Sequence, residues 1–193
     1  MKDAYNKAIF AYLNTAENYK SALEIEQFLP EFRKEALIRF WDAVKRKLEK
    51  KVVETRWTLH ADYLVNGNFG QDCSIGISLD NIIGLGVYYQ ELDALLYLGT
   101  YLENRPELNN NLNLDKARIY IQDSKDEFNG YDFSHPWWLA YRNTKLDFQN
   151  NLNYGNIIGN EFDKTVEQIV NDLWVLAEKM EEHIRFIDEE CRD

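Results

Sequence analysis

Cysteine is scarce in this chain, and long apolar runs are absent. The 193 residues include only two cysteines, Cys73 and Cys191. Their spacing matches no metal-binding or redox motif, so we expect two free thiols in a reducing cytoplasm. No apolar stretch approaches the roughly 18 residues that a membrane span needs, and the polar N-terminus has no apolar signal-peptide core. These absences predict a cytoplasmic protein with no membrane contact.

Basic residues are outnumbered as well. The chain has 22 lysines and arginines against 33 aspartates and glutamates, which gives a net charge of −11. Contact with a nucleic-acid backbone favours Lys and Arg, so this balance disfavours direct nucleic-acid binding and favours a basic protein partner. The charge is uneven, because residues 161–193 hold eleven acids and four bases whereas residues 31–56 hold nine bases and five acids. We expect an acidic C-terminal helix and a basic helix nearer the N-terminus.

Three segments have apolar residues at helical spacing. Residues 4–27 should form a helix that Pro30 ends, and a basic helix should follow from about Glu31 to Val52. The surest helix begins after Asn160, its predicted N-cap. Its apolar stripe is Phe162, Val166, Ile169, Leu173, Leu176, Met180, Ile184 and Ile187. The stripes of the basic and the acidic helix are expected to face inward.

Between the helices the apolar period changes to two, which is typical of strands. Turn signals at Asn66-Gly67 and Asp80-Asn81 separate the first three predicted strands. The strands are predicted at residues 57–65, 75–79, 85–89, 94–102 and 137–142. The fourth of these also allows a helix, and residues 114–122 fit either a short strand or a helix. Residues 150–160 are rich in Asn and Gly and predict a connection.

These elements predict an α+β fold. Aromatic residues make up 14% of the chain, and apolar residues make up 45%, enough for a sizeable core. Short turns favour antiparallel pairing, because parallel strands need long crossovers. We expect one domain over residues 1–193 with a mostly antiparallel sheet of about five strands. An N-terminal helix lies in 1–30, a helix and β-meander in 31–160, and the long amphipathic helix in 161–193.

The sequence contains no strong catalytic or ligand motif. His60, His135 and His183 have no second His or Cys at metal-ligand spacing, so we expect surface or structural histidines and no cofactor. Gly84-Leu85-Gly86 precedes a strand, whereas dinucleotide binding needs a helix N-terminus there.

One loose pattern suggests a metal-dependent nuclease. Such an enzyme needs two acids and a nearby Lys on adjoining strands to hold Mg²⁺ and the attacking water. Asp123 and Lys125 follow a strand-like run, and Glu91 or Asp93 would be the upstream acid. Their polar surroundings fit a turn better. Nuclease chemistry with Mg²⁺ is therefore the alternative hypothesis, in which Asp123, Lys125 and Glu91 are catalytic.

The segment from Ser134 to Arg142 is the richest aromatic cluster. As a regular strand it places Trp137, Leu139 and Tyr141 on one face and the residues between them on the other. Burial of both faces is the favoured interpretation. Trp137, Trp138 and Arg142 are nevertheless binding candidates, because Trp, Tyr and Arg dominate interaction hot spots.

The order of elements suggests a family. After Phe40-Trp41 come predicted hairpins, then Gly-Leu-Gly-Val-Tyr-Tyr, Leu-Tyr-Leu-Gly, Trp-Trp-Leu-Ala-Tyr-Arg and a closing amphipathic helix. Over about residues 36–190 this resembles the C-terminal half of bacterial and phage proteins in the PD-(D/E)XK nuclease superfamily. There the catalytic acids and Lys usually lie upstream, and this chain is too short to hold that part. The resemblance implies a non-catalytic remnant or an accessory module, with no catalytic residue carried over.

The leading hypothesis is a small acidic protein that binds a basic partner and blocks it. Immunity proteins, antitoxins and phage inhibitors of host defence share this profile. The candidate binding acids are Glu167, Asp172, Glu178, Glu181, Glu182, Asp188 and Glu189 on the outer face of the last helix. A charged run is more often only a solvated face, and the acids could pair with the basic helix instead. Self-association through the aromatic segment and the long helix is a third hypothesis.

Overall fold

The computed structural model describes residues 2–61, 74–80, 82, 84–92, 95–102, 111–135, 138–147 and 151–192. The helices in these ranges are α1 (Lys2–Leu13), α2 (Ala16–Val52), α3 (Leu114–Asp123), α4 (Asn151–Ile158) and α5 (Phe162–Glu190). The strands are β1 (Trp57–Ala61), β2 (Ser74–Leu79), β3 (Leu85–Leu92), β4 (Leu95–Leu102) and β5 (Trp138–Asp147). The predicted α+β class is confirmed.

The five strands form one antiparallel meander in the order β1-β2-β3-β4-β5. The register places Ile77 opposite Val87 and Tyr89 opposite Leu98. These side chains lie on one face, as the period of two predicts. Residues 95–102 form a strand, as predicted, while residues 114–123 form helix α3.

The core lies between that face of the sheet and helices α2 and α5. The second half of α2 contributes Phe40, Val44 and Leu48, all fully buried. Helix α5 contributes the predicted stripe, from Val166 to Ile187. These two helices also contact each other. The apolar stripes of α2 and α5 therefore face inward. The charged residues on the other faces of these two helices remain at the surface.

The other face of the sheet is built from aromatic rings lying over glycines. The ring of Tyr88 covers Gly76 and Gly86, and the ring of Trp138 covers Gly99. Any side chain at Gly99 would meet the Ala140 carbonyl oxygen and the Trp138 ring. Glycine is therefore required there, because it leaves room for a flat ring against the backbone.

A register shift alters the predicted alternation of β5. The pairing of β4 with β5 shifts between Thr100 and Tyr101, and Trp138 lies opposite Tyr101. The rings of Trp138 and Tyr141 come within 6.3 Å of each other, whereas strict alternation would place them on opposite faces. The prediction for these two residues was wrong, because a bulge adds a residue on one strand and reverses the side-chain direction beyond it.

The predicted helix break at Pro30 was also wrong. Helix α2 runs through Pro30 without ending, and the chain breaks instead at Thr15. The Thr15 hydroxyl accepts a hydrogen bond from the Asn18 backbone N–H at 3.2 Å, which caps the new helix. Pro30 is exposed. Water can therefore reach the Glu26 carbonyl that loses its partner, which lowers the cost of a proline inside a helix.

The chain around Asn160 differs from prediction as well. Residues 151–158 form α4, where a connection was expected, because burial of Ile157 in the core outweighs the weak helix propensity of Asn and Gly. Helix α5 has Glu161 at its N-cap, with no side-chain cap, in place of Asn160. The Asn66-Gly67 turn and Cys73 lie outside the described residues. Within the described ranges, no helix is long and apolar enough to cross a membrane.

Candidate functional site

The acids predicted to bind a partner lie along α5, and five of the seven pair with another of the described residues. Glu167 pairs with Lys47 of α2, which joins the acidic helix to the basic one. Asp172 lies 3.5 Å from Arg142, and Glu178 accepts a hydrogen bond from the Trp174 indole. Two further pairs form along the helix, Glu181 with Arg185 and Asp188 with Arg192. Exposed pairs of this kind contribute at most about 1 kcal/mol, so they compete only weakly with a partner.

Of the predicted acids, Glu167, Glu178, Glu182 and Glu189 are exposed. The last three follow the same outer face over three turns of α5. A shallow groove beside them is lined by Glu127, Glu178, Lys179, Glu181, Glu182 and Arg185. The face thus presents carboxylates to solvent, and two cations lie among them.

Arg142 and Asp172 meet in a cleft of about 390 Å³ between β5, α4 and α5. Sequence analysis named Arg142 and Asp172 as separate binding candidates, and the fold places them side by side. Tyr89 forms the floor, and its buried hydroxyl has no hydrogen-bond partner in the described part of the chain. The Arg142 guanidinium also lies 5.4 Å above the Tyr131 ring. The cleft combines one cation, one acid and uncharged polar groups.

Burial governs the ionisation of this cleft. It raises the pKa of Asp172, and the Arg142 guanidinium opposes that shift. Burial also raises the pKa of Tyr89 well above its usual value, and the Asp172 carboxylate adds to the increase. A tyrosine with a raised pKa stays protonated at neutral pH and is a poor nucleophile. The cleft can therefore donate hydrogen bonds to a polar molecule, but its tyrosine is not activated for covalent chemistry.

Asp123 and Lys125 of the nuclease alternative do not lie where that alternative requires them. Asp123 is the last residue of helix α3, and Lys125 begins a 3₁₀ turn, so neither follows a strand. The strand-like interpretation of this segment was wrong, because Ala117 and Ile121 bury one face of a helix there. Glu91 lies in β3, and its side chain is outside the described set. Among the side chains that are described, no cluster of three His, Cys, Asp or Glu could hold a metal ion.

The histidines have structural environments. The His183 ring is buried, and its two nitrogens lie 3.0 Å from the Tyr120 hydroxyl and 3.3 Å from the Glu127 carboxylate. His60 is half-buried, with its Nε2 2.7 Å from the Ser78 hydroxyl. The His135 ring contacts the Tyr141 ring.

Trp138, the tryptophan binding candidate that the structure describes, is inaccessible. Trp138 is only 1% exposed and packs against Tyr101. Its ring therefore presents almost no surface to a partner. Trp137 lies outside the residues that the structure describes.

Most of the exposed large apolar side chains that the structure describes lie on a helical arm, which we define as α1 together with residues 16–35 of α2. None of residues 4–35 is buried. The arm holds nine of the fourteen large apolar side chains that are exposed in the described chain, namely Tyr5, Ile9, Phe10, Tyr12, Tyr19, Leu23, Ile25, Phe28 and Phe32. Phe10 is 76% exposed. Isolated apolar residues at a surface are ordinary, but a dense set on one element indicates an interaction surface.

Sequence reasoning found the apolar stripe of the arm but not its exposure. The positions Tyr5, Ile9, Tyr12, Ala16, Tyr19 and Leu23 are separated alternately by four and three residues. This spacing gives a narrow stripe, which is typical of a helix-to-helix seam, whereas a helix lying on a globular core needs a wider one. The spacing was the available signal that this stripe does not pack on the core of the chain.

Comparisons with known proteins give no relative for this arrangement. A scan against protein families, a search of curated proteins and a search of solved structures each found no match.

Proposed function

We propose that this chain is a non-catalytic interaction protein with two contact surfaces. The arm docks onto a protein chain, and the acidic outer face of α5 fits a basic partner that the protein blocks. A function of the inhibitor, immunity or anti-defence type follows from that proposal. The observation that carries it is the arm, a run of 32 residues, 4–35, without one buried side chain.

The physical support for docking at the arm is the cost of leaving it uncovered. Most helices in proteins depend on tertiary packing of an apolar face, and isolated helices under about 12–15 residues are marginal in water. Helix α1 has 12 residues, and none of its described side chains, from Ala4 to Leu13, belongs to the core. Burying one large apolar side chain contributes roughly 1.5–3 kcal/mol, so a partner covering several of them would stabilise both the arm and the complex.

The acidic face supports the choice of a basic partner. Glu178, Glu182 and Glu189 are exposed on α5, and the chain carries a net charge of −11. Complementary charge speeds encounter with a basic protein and disfavours wrong partners. A protein of this size bound in a basic groove of its partner would exclude other molecules from that groove. This steric exclusion is the proposed means of blocking.

Site-specific photo-crosslinking in the native cell tests both surfaces. We would place a benzoyl-phenylalanine at Phe10 for the arm, at Val175 for the outer face of α5 and at Ile119 as control. The control position is 60% exposed on α3, comparable to Val175 at 63%. We expect discrete crosslinked species from Phe10 and Val175, and none from Ile119. Charge reversal at Glu178, Glu182 and Glu189 should remove only the Val175 species.

Two crosslinking results would contradict the proposed function. Crosslinking at Phe10 that is no stronger than at Ile119 would remove the arm as a docking surface. A Val175 species that survives charge reversal would remove the acids from the mechanism.

A further inference from the structure

The arm is close to neutral in a strongly acidic chain. Residues 2–35 hold five bases and six acids, a net charge of −1. The remaining residues carry the other −10 of the total of −11. We call the residues outside the arm the body. Two copies of this chain repel each other through their acidic bodies, so electrostatic repulsion is weakest where the two arms meet.

The apolar pattern of the arm suits a second helix of the same kind. Within α1 the residues Tyr5, Ile9 and Tyr12 are separated by four and three residues, and within α2 Ala16, Tyr19 and Leu23 are separated by three and four. Alternating spacing of four and three places side chains where they interdigitate with an equivalent stripe on a neighbouring helix. A two-fold axis offers each arm that stripe, because the same patch then contributes from both copies.

The exposed area of the stripe reaches the size of a small specific interface. Its five large side chains, Tyr5, Ile9, Tyr12, Tyr19 and Leu23, are on average about half exposed. Taking roughly 200 Å² for a large side chain, five of them at half exposure offer about 500 Å² per copy. Two stripes would then bury about 1,000 Å² in total, which is about the size that a specific protein interface has to reach.

We infer that the protein chain that covers the arm is a second copy of this protein. The inference rests on the proposed function, since it names the occupant of the same surface. Paired arms form a helical bundle, and the two bodies lie outside it with their acidic α5 faces free. The dimer offers two blocking surfaces to a basic partner.

Sedimentation equilibrium over a range of concentrations tests this inference on the full chain. We expect a species of twice the 22.9 kDa monomer mass. The double variant Ile9→Glu/Leu23→Glu places a carboxylate on each arm helix and should weaken dimerisation at least about a hundredfold, because charges in a helix seam are poorly tolerated. Both residues are 38% exposed, and Glu is a good helix former, so the fold should survive.

A matched control makes the same chemical change elsewhere. The variant Ile119→Glu/Val175→Glu alters two exposed apolar residues on α3 and α5 and should dimerise like the wild type. Circular dichroism of both variants confirms that they fold. A wild-type dimer that the arm variant leaves intact would overturn the inference, because dimerisation would then use another surface.

Binding of an apolar dye, 8-anilinonaphthalene-1-sulfonate, separates the remaining outcomes. The wild type could be monomeric and bind the dye through the arm, so that the fluorescence disappears in the arm variant. That result would overturn the inference that a second copy covers the arm. It would keep the proposed function, since the arm would be open to a different protein. A monomeric wild type without arm-dependent fluorescence would overturn both.

Discussion

At the scale of single residues, the glycines of the sheet show how tightly its aromatic face is packed. Gly99 lies under the Trp138 ring and beside the backbone of β5, with Trp138 Cε3 and Tyr141 Cα each 2.7 Å from where a Cβ would lie. Two of the three obstructing atoms belong to backbone, which cannot rotate away. The close packing of the Trp138 ring on the sheet thus requires a residue without a Cβ at position 99.

The variant Gly99→Ala is expected to lower the free energy of unfolding by about 2–3 kcal/mol, because overpacking forces a backbone shift. Gly155→Ala is the matched control. That position lies in α4 with no atom within 4 Å of the added Cβ, and alanine should stabilise the helix by up to about 1 kcal/mol. Urea denaturation of both variants gives the two values. Equal effects at the two positions would contradict the packing described for β4 and β5.

At the scale of elements, helix α2 shows that one helix can have two environments. Its second half buries Leu37, Phe40 and Val44 in the core, while its first half has no buried side chain. The same 37 residues are therefore held by tertiary packing at one end and by local interactions at the other. The Thr15 cap is one of those local interactions.

The variant Thr15→Ala should destabilise the start of α2 by about 1 kcal/mol, because the Asn18 N–H loses its acceptor. Ser21→Ala is the control, an exposed position inside the same helix. Hydrogen exchange followed by mass spectrometry should show faster exchange in peptides from the first turns of α2 for Thr15→Ala only. An unchanged exchange rate there would mean that the cap does not limit opening of the arm.

At the scale of the whole molecule, stability depends on pH through the half-buried Asp172 of the cleft. Burial raises the pKa of Asp172 above the ordinary value of 3.8. Between the two values the folded protein keeps a proton that the unfolded chain has released. The contribution of Asp172 to the free energy of unfolding therefore falls as pH rises through that window and is constant above it.

The variant Asp172→Asn cannot titrate at this position. The free energy of unfolding of the wild type minus that of the variant should therefore decrease as the pH rises from about 4 towards neutrality. Asn143→Ala is the control, because it changes the same cleft without changing a titrating group. Thermal melts across this pH range give the difference curves. A difference that increases with pH would mean that the Arg142 pairing outweighs burial.

The sequence predicted the parts of this fold that depend on local pattern. The alternation of Ile75, Ile77 and Leu79 and the stripe of α5 each specify an element and its buried face. The extent of α2, the helix at residues 151–158 and the side of β5 on which Trp138 lies depend on contacts between distant segments, which a linear pattern does not contain. The same limit applies to the site: the sequence contains Arg142 and Asp172, but only the fold places them 3.5 Å apart.

Helix α2 has a mechanical consequence, because it belongs both to the arm and to the core. The 20 residues from Ala16 to Glu35 form a rod of roughly 30 Å at 1.5 Å per residue. Such a rod acts as a ruler, whereas a flexible linker would let the spacing vary. Whatever holds the arm therefore fixes how far away, and at what angle, the acidic body is presented. If the proposed function holds, a basic partner that matches that spacing would be selected by geometry as well as by charge.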